Sequence, residues 1–193
     1  MLLGVDEARH MSCVKAWGRA LYSELRKLMT LPAIRWAATA TGAIAIIIVM
    51  SALQNKEEGQ TFSFDEIAPT WTLAVQIGFV AAGVIVAGSE HSTAQGITTL
   101  LVTPVRTRLA AARLMALTGT GLVAASILVG VSLAACPTIS TTALWAGGRT
   151  VAWLTGVLLL AAGLGEALRS SIGALTAAVV LVILAPQLAV FLG

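Results

Sequence analysis

Long apolar runs are the feature that most constrains the fold of this 193-residue chain. A helix needs about 20 apolar residues to cross a bilayer, because each residue adds about 1.5 Å and the hydrocarbon core is about 30 Å thick. Runs of this kind recur along the chain, and only 11% of its residues are charged. A soluble domain usually carries about 25% charged residues. The sequence therefore predicts an all-α, polytopic membrane protein.

Five segments have the length and apolarity of a transmembrane helix. They are about Ile34–Leu53, Trp71–Ala87, Leu109–Ala135, Val151–Leu168 and Ile172–Leu192. The chain then divides into an N-terminal segment at residues 1–33 and a transmembrane domain at residues 34–193. Glycine is a frequent turn residue, so Ala146-Gly147-Gly148 is predicted to be the turn before the fourth span.

Lysine and arginine are distributed unequally between the two sides that these spans define. Ten of the twelve fall on the side of the N-terminus, and the other two are Lys56 and Arg149. Basic residues are enriched in cytoplasmic loops. The N-terminus of this multi-pass chain is therefore predicted to lie in the cytoplasm, and the cell membrane is the expected location. The acidic loop Gln54–Thr70 is then external, and the polar connection Gly88–Arg108 is cytoplasmic.

Tryptophan and cysteine positions follow from this topology. Trp71, Trp145 and Trp153 are expected at the outer membrane interface and Trp36 at the inner one, where an amphipathic ring is stable. The two cysteines, Cys13 and Cys136, fall on opposite sides, so no disulfide is expected between them.

Residues 11–30 have the pattern of an amphipathic helix. Its apolar positions recur at spacings of three or four: Val14, Trp17, Leu21, Leu25 and Leu28. Lys15, Arg19, Arg26 and Lys27 lie off this face. Such a helix lies in the headgroup plane with its basic groups on anionic lipid. It is either a topology anchor or a lateral helix that also packs against a cytoplasmic partner.

The polar connection Gly88–Arg108 has the signals of a short capped helix. Gly88 is expected to end the second span, and Ser92 with Gln95 forms a capping box, in which each side chain satisfies a backbone donor of the first turn. Pro104 then ends the short helix, which carries Ile97, Leu100 and Leu101 on one side. An exposed apolar patch of this kind usually binds a partner.

Charged residues flank this short helix. Arg106, Arg108 and Arg113 are expected at the membrane surface, where their side chains can reach lipid phosphates. Glu90 is predicted to pair with one of these three arginines. Because no metal-binding or catalytic motif accompanies Glu90 and His91, no metal site and no catalytic residue are predicted.

The order of motifs resembles that of type-2 ATP-binding-cassette (ABC) exporter permeases, especially small actinobacterial ones. The motifs in the middle of the chain are GSEHST at residues 88–93, ITTLL at 97–101, TPVRTR at 103–108 and LAAARL at 109–114. The lead-in SELRKLMTLPAIRW at 23–36 is similar to the elbow helix of that family, and residues 164–188 are similar to its fifth span. His91 stands where an aromatic residue is usual, no basic residue precedes the paired threonines, and the family usually has a sixth span.

The resemblance implies that part of the polar connection contacts an ATPase subunit in the cytoplasm. The residues concerned are Glu90, Ser92, Thr93, Gln95, Ile97, Thr98, Thr99, Leu100 and Leu101. The chain contains no phosphate-loop motif, so no cofactor is expected on it, and ATP and Mg are expected on the partner. A second permease subunit, as a homo- or heterodimer, and membrane lipid are the other expected partners, and nucleic acid is not expected.

Two functions from different classes fit these observations. The first is a non-enzymatic permease subunit of an ABC exporter, which moves a hydrophobic or amphipathic substrate by alternating access. The alternative is a non-transporting membrane protein with an interaction, immunity or assembly role. An intramembrane enzyme is disfavoured, because the predicted spans contain few polar residues.

Overall fold

The structure is a computed structural model, and it describes residues 18, 21–55, 63–92, 106–136, 139–168 and 170–184. Within these ranges the chain is helical apart from a few residues at helix ends, and it contains no strand. The predicted all-α, polytopic membrane architecture is confirmed. Arg19 and residues 93–105 of the polar connection, which include most of the predicted short helix, lie outside the described residues.

The helices are numbered here in chain order. Helix α1 is described at residues 21–30. The others are α2 (Pro32–Gln54), α3 (Phe64–Ser92), α4 (Arg106–Ala135), α5 (Thr141–Leu168) and α6 (Ser171–Val179), which continues as a π-helical turn at Val180–Leu184. Among the described residues, α2 to α5 provide the four helices that are long and apolar enough to span a membrane.

Helix starts follow local capping rules. Proline has no N–H to leave unsatisfied, and Pro32 stands at the first position of α2. The Ser140 hydroxyl accepts a hydrogen bond from the backbone N–H of Ala143 at 3.0 Å, which caps α5. The Ser170 hydroxyl caps α6 in the same way, through the N–H of Gly173 at 3.2 Å.

Two predicted breaks were wrong, because glycine serves helix packing at both places. Helix α3 continues through Gly88 to Ser92, and α5 already includes Ala146-Gly147-Gly148. A Cβ atom at Gly88 would lie 2.7 Å from the Ser171 hydroxyl oxygen, and one at Gly147 would lie 3.0 Å from a methyl group of Val129. Because glycine has no side chain, α6 packs closely against α3 at Gly88, and α4 packs closely against α5 at Gly147. These tertiary contacts override the local preference of glycine for turns.

The fifth predicted span corresponds in part to α6 and its π-helical turn. Together they cover Ser171–Leu184 and form an apolar helix shorter than the four long ones. The rest of the predicted span, residues 185–192, lies outside the described residues.

Helices α3 and α5 run side by side in the same direction at the centre of the bundle. The Ser63 and Ser140 hydroxyls are 3.5 Å apart, and each helix begins one residue after its serine. Trp153 contacts Gln76 with the same sequence separation of 77 residues. Helix α2 packs beside α3, and α4 packs beside α5. The bundle therefore consists of two similar helical hairpins, although the sequence shows no convincing repeat.

Small residues make the contact between α3 and α5. A Cβ atom at Gly83 would lie 2.6 Å from the backbone carbonyl oxygen of Leu158, and one at Gly165 would overlap the Ala87 side chain. In a membrane, where lipid is as apolar as the helix surfaces, such close backbone approach is a main source of helix association.

The two ends of the bundle differ. We call the end with the α2–α3 and α4–α5 connections the hairpin end, and the opposite end, against which α1 packs, the α1 end. Leu28 of α1 is buried in a cluster with Val86, Ala116, Leu117 and Ala162, and Leu21 and Leu25 pack against the same cluster. The predicted apolar face of α1 therefore covers the bundle itself over residues 21–30.

Trp71 was predicted to lie at the outer membrane interface, but its side chain lies in the core of the bundle. Helix α3 begins at Phe64, so Trp71 lies two turns inside it and is fully buried. The rings of Phe64 and Trp71 meet edge to face, with centroids 5.7 Å apart. Trp36 and Trp145, by contrast, are 77% and 76% exposed, so both rings lie on the outside of the bundle.

Candidate functional site

The α1 end carries the described part of the predicted ATPase contact. Glu90 and Ser92 lie in the last turn of α3, and Arg106 and Arg108 lie in the first turn of α4. Ser92, which was predicted to cap the short helix, is the last residue of α3. Thr93, Gln95, Ile97, Thr98, Thr99, Leu100 and Leu101 lie outside the described residues. The structure therefore describes the end of α3 and the start of α4, the two helices that the polar connection joins.

The predicted basic residues have different environments at this end. Arg26 is exposed. Lys27 donates to the carboxylate of Glu24 at 2.8 Å, and Glu24 is buried, so one donor of this lysine is engaged within α1. Arg113, one of the predicted partners of Glu90, forms an ion pair with Glu166 at 2.5 Å. Because Arg113 is on α4 and Glu166 on α5, this ion pair ties two bundle helices together.

An apolar groove of about 490 Å³ lies between α1, α2, α3 and α4. Its walls are almost entirely apolar, with Thr41 and Thr120 as the few polar side chains and Arg35 near α1. The Thr41 hydroxyl donates to the Ala37 carbonyl of its own helix at 2.6 Å. The groove therefore offers shape and apolar contact but little hydrogen bonding.

A larger cleft of about 820 Å³, which we call the polar cleft, lies in the half of the bundle towards the hairpin end. Its walls are one face of α3, one face of α5 and the π-helical turn. The lining residues of α3 are Asp65, Ala68, Pro69, Thr72, Leu73 and Gln76, and those of α5 are Thr142, Trp145, Ala146, Arg149, Thr150 and Trp153. Both sets follow the spacing of a single helix face.

Polar side chains form cross-links within the polar cleft. The indole Nε1 of Trp153 donates to Gln76 Oε1 at 3.0 Å. The hydroxyls of Thr72 and Thr150 are 3.5 Å apart. Arg149 is exposed and lies one helical turn from Trp153, on the same face of α5. The cleft therefore combines a cation, hydroxyls and an amide with tryptophan rings.

Sequence reasoning missed this cleft. The predicted fourth span begins at Val151, which leaves Arg149 outside it. In the structure α5 begins at Thr141, so Arg149 lies more than two turns inside the helix. The sequence did contain one indication of the two polar faces. Thr72 and Gln76 are one helical turn apart, and Thr142, Arg149 and Trp153 are two turns and then one turn apart. Which helices face each other, however, is not encoded in that spacing.

Cys136 lies at the hairpin end of the bundle, directly after the last residue of α4. It is buried and is a free thiol. Burial raises the pKa of this thiol, and the nearby carboxylates of Asp65 and Glu66 raise its pKa further because they disfavour the thiolate. Cys136 is therefore a poorly reactive side chain at neutral pH.

No family model matches the chain, and neither the curated proteins nor the solved structures give a match. The described part of the chain is therefore characterised by its own architecture: four long apolar helices with α6 packed against them, α1 at one end and the polar cleft towards the other.

Proposed function

We propose that the chain is a permease subunit of an ABC exporter and moves an amphipathic substrate with energy from a separate ATPase subunit. It lies in the cell membrane with its α1 end in the cytoplasm, where the ATPase binds residues 93–101 and the adjoining Glu90 and Ser92. ATP and Mg are held by the ATPase, and a second permease subunit completes the pathway.

The observation that carries the proposal is the continuity of α3. This helix runs unbroken from Phe64 to Ser92, so a displacement at the predicted ATPase contact acts directly on its far end. The same helix lines both the apolar groove and the polar cleft. A movement of α3 against its neighbours therefore changes both spaces at once, as alternating access requires.

The basic residues support the orientation. Arg26 and Lys27 of α1 and Arg106, Arg108 and Arg113 of α4 all lie at the α1 end, whereas the described part of the hairpin end carries Asp65 and Glu66. Positively charged segments are retained in the cytoplasm during insertion. A cytoplasmic α1 end also puts the predicted ATPase contact in the compartment that contains ATP.

The proposal is tested by placing a charge on the apolar side of the predicted short helix, which carries Ile97, Leu100 and Leu101. Leu100→Asp should release an ATPase co-expressed from the same source, because a carboxylate in an apolar contact loses its hydration without a partner. Thr103→Asp adds the same charge to the same connection outside that face and should retain the ATPase. Affinity purification of each variant in mild detergent measures the ratio of ATPase to chain. Equal retention in both variants would remove residues 93–101 as the docking segment.

A further inference from the structure

We infer that the polar cleft binds an amphiphile whose head group carries one anionic phosphate, with the phosphate between Gln76 and Arg149 and the apolar chain against the π-helical turn that follows α6. The space of about 820 Å³ is within the range of small-molecule pockets. The inference concerns binding to this chain alone, so it does not require an ATPase partner.

Gln76 provides a fixed pair of hydrogen-bond donors. Its side chain is 3% exposed and lines the cleft, and its Oε1 accepts from Trp153 Nε1. Because the indole can only donate, this contact fixes the orientation of the amide. The two N–H groups of Nε2 make no hydrogen bond to a described residue, so they are left for a ligand that accepts.

Arg149 provides the positive charge. It projects from the same face of α5 as Trp153, and no carboxylate within the described part of the chain forms an ion pair with it. Charged side chains on membrane-spanning helices almost always face the bundle interior or a water-filled cavity, as Arg149 faces the polar cleft. Its planar set of donors matches the geometry of phosphate oxygens.

The rest of the cleft fits the other parts of such a ligand. Thr72 and Thr150 add hydroxyls beside the proposed phosphate position. Leu73, Val182 and Ile183 form an apolar wall for an acyl or prenyl chain. Asp65 lies two turns from Thr72 towards the hairpin end, so a second anionic group placed there would meet a carboxylate. This arrangement favours a single phosphate over a polyanionic head group.

Native mass spectrometry of the purified chain in detergent tests the inference. The probe is an equimolar mixture of phosphatidic acid and diacylglycerol, which differ only in the phosphate. The wild-type chain should retain one phosphatidic acid with at least tenfold preference. Arg149→Gln and Gln76→Glu should each lower that preference at least fivefold, the first by removing the charge and the second by placing an anion beside the phosphate. Arg149→Lys should retain part of it.

A matched control variant and a competition with inorganic phosphate test whether the preference for phosphatidic acid comes from the polar cleft. Arg35→Gln removes a cation from α2, outside the polar cleft, and should bind as the wild type does. Inorganic phosphate in tenfold excess should leave the lipid bound. The inference is overturned if the wild-type chain shows no preference, if Arg35→Gln lowers it as much as Arg149→Gln does, or if inorganic phosphate displaces the lipid. Any of these results leaves the permease proposal standing, since the assay contains no ATPase.

Discussion

At the scale of single residues, the glycines divide into two groups that the sequence cannot separate. Gly83 and Gly165 lie in the tight contact between α3 and α5, whereas an added Cβ at Gly156 or Gly163 would meet nothing within 4 Å. All four are glycines within apolar helices, so composition and spacing treat them alike. The difference arises from which helix faces each one, and this is a property of the packed bundle.

Gly83→Ala should destabilise the bundle. Its methyl group would clash with the Leu158 carbonyl oxygen, which is a backbone atom and cannot move to another rotamer. Overpacking of this kind lowers the free energy of unfolding by about 1–3 kcal/mol. Gly163→Ala is the matched control in the same pair of helices and should be neutral or slightly stabilising. Denaturation in mixed detergent micelles compares the two. If Gly83→Ala is as stable as Gly163→Ala, α3 and α5 do not pack as described.

Cys136 should react slowly with iodoacetamide in a Cys13→Ser background. Since burial and two carboxylates raise the pKa of the thiol, little thiolate is present at pH 8, and the rate should keep rising with pH above the point where a free thiol levels off. The pH profile of alkylation, measured beside N-acetylcysteine, gives the comparison. A profile that matches the free thiol would mean that Cys136 is exposed.

At the scale of helices, the apolar runs predict the bundle well and the boundaries less well. Four of the predicted spans coincide with helices long enough to cross a membrane, because length and apolarity are local properties. Gly88 and the Ala146-Gly147-Gly148 stretch were wrongly predicted as breaks, since contacts with Ser171 and Val129 decide their conformation. The polar cleft was missed for the same reason: it exists only because α3 and α5 lie side by side.

Glu90→Ala should lower ATP hydrolysis in the proposed complex while the chain still inserts. Glu90 stands in the last turn of α3, where that helix meets the rest of the predicted ATPase contact. Loss of its charge there should weaken the link between the ATPase and α3. ATPase activity of the purified complex is the readout, with Glu90→Gln as the variant that keeps the size of the side chain. Full activity in Glu90→Ala would exclude a coupling role for this residue.

At the scale of the whole molecule, the two ends of the bundle should face different compartments. Asn55 at the hairpin end and Tyr22 on α1 are both exposed, so a single cysteine at either position is accessible. With Cys13 and Cys136 replaced by serine, Asn55→Cys should react with a membrane-impermeant maleimide in intact cells. Tyr22→Cys should react only after permeabilisation. The reverse pattern would place the α1 end outside.

The central claim is that this chain works with a separate ATPase, and the most direct measurement is affinity purification of the tagged chain from its native membrane in mild detergent. We predict a stoichiometric partner that carries a phosphate-loop motif and hydrolyses ATP. Recovery of the chain alone, or with membrane proteins that lack such a motif, would contradict the claim and favour a non-transporting interaction protein.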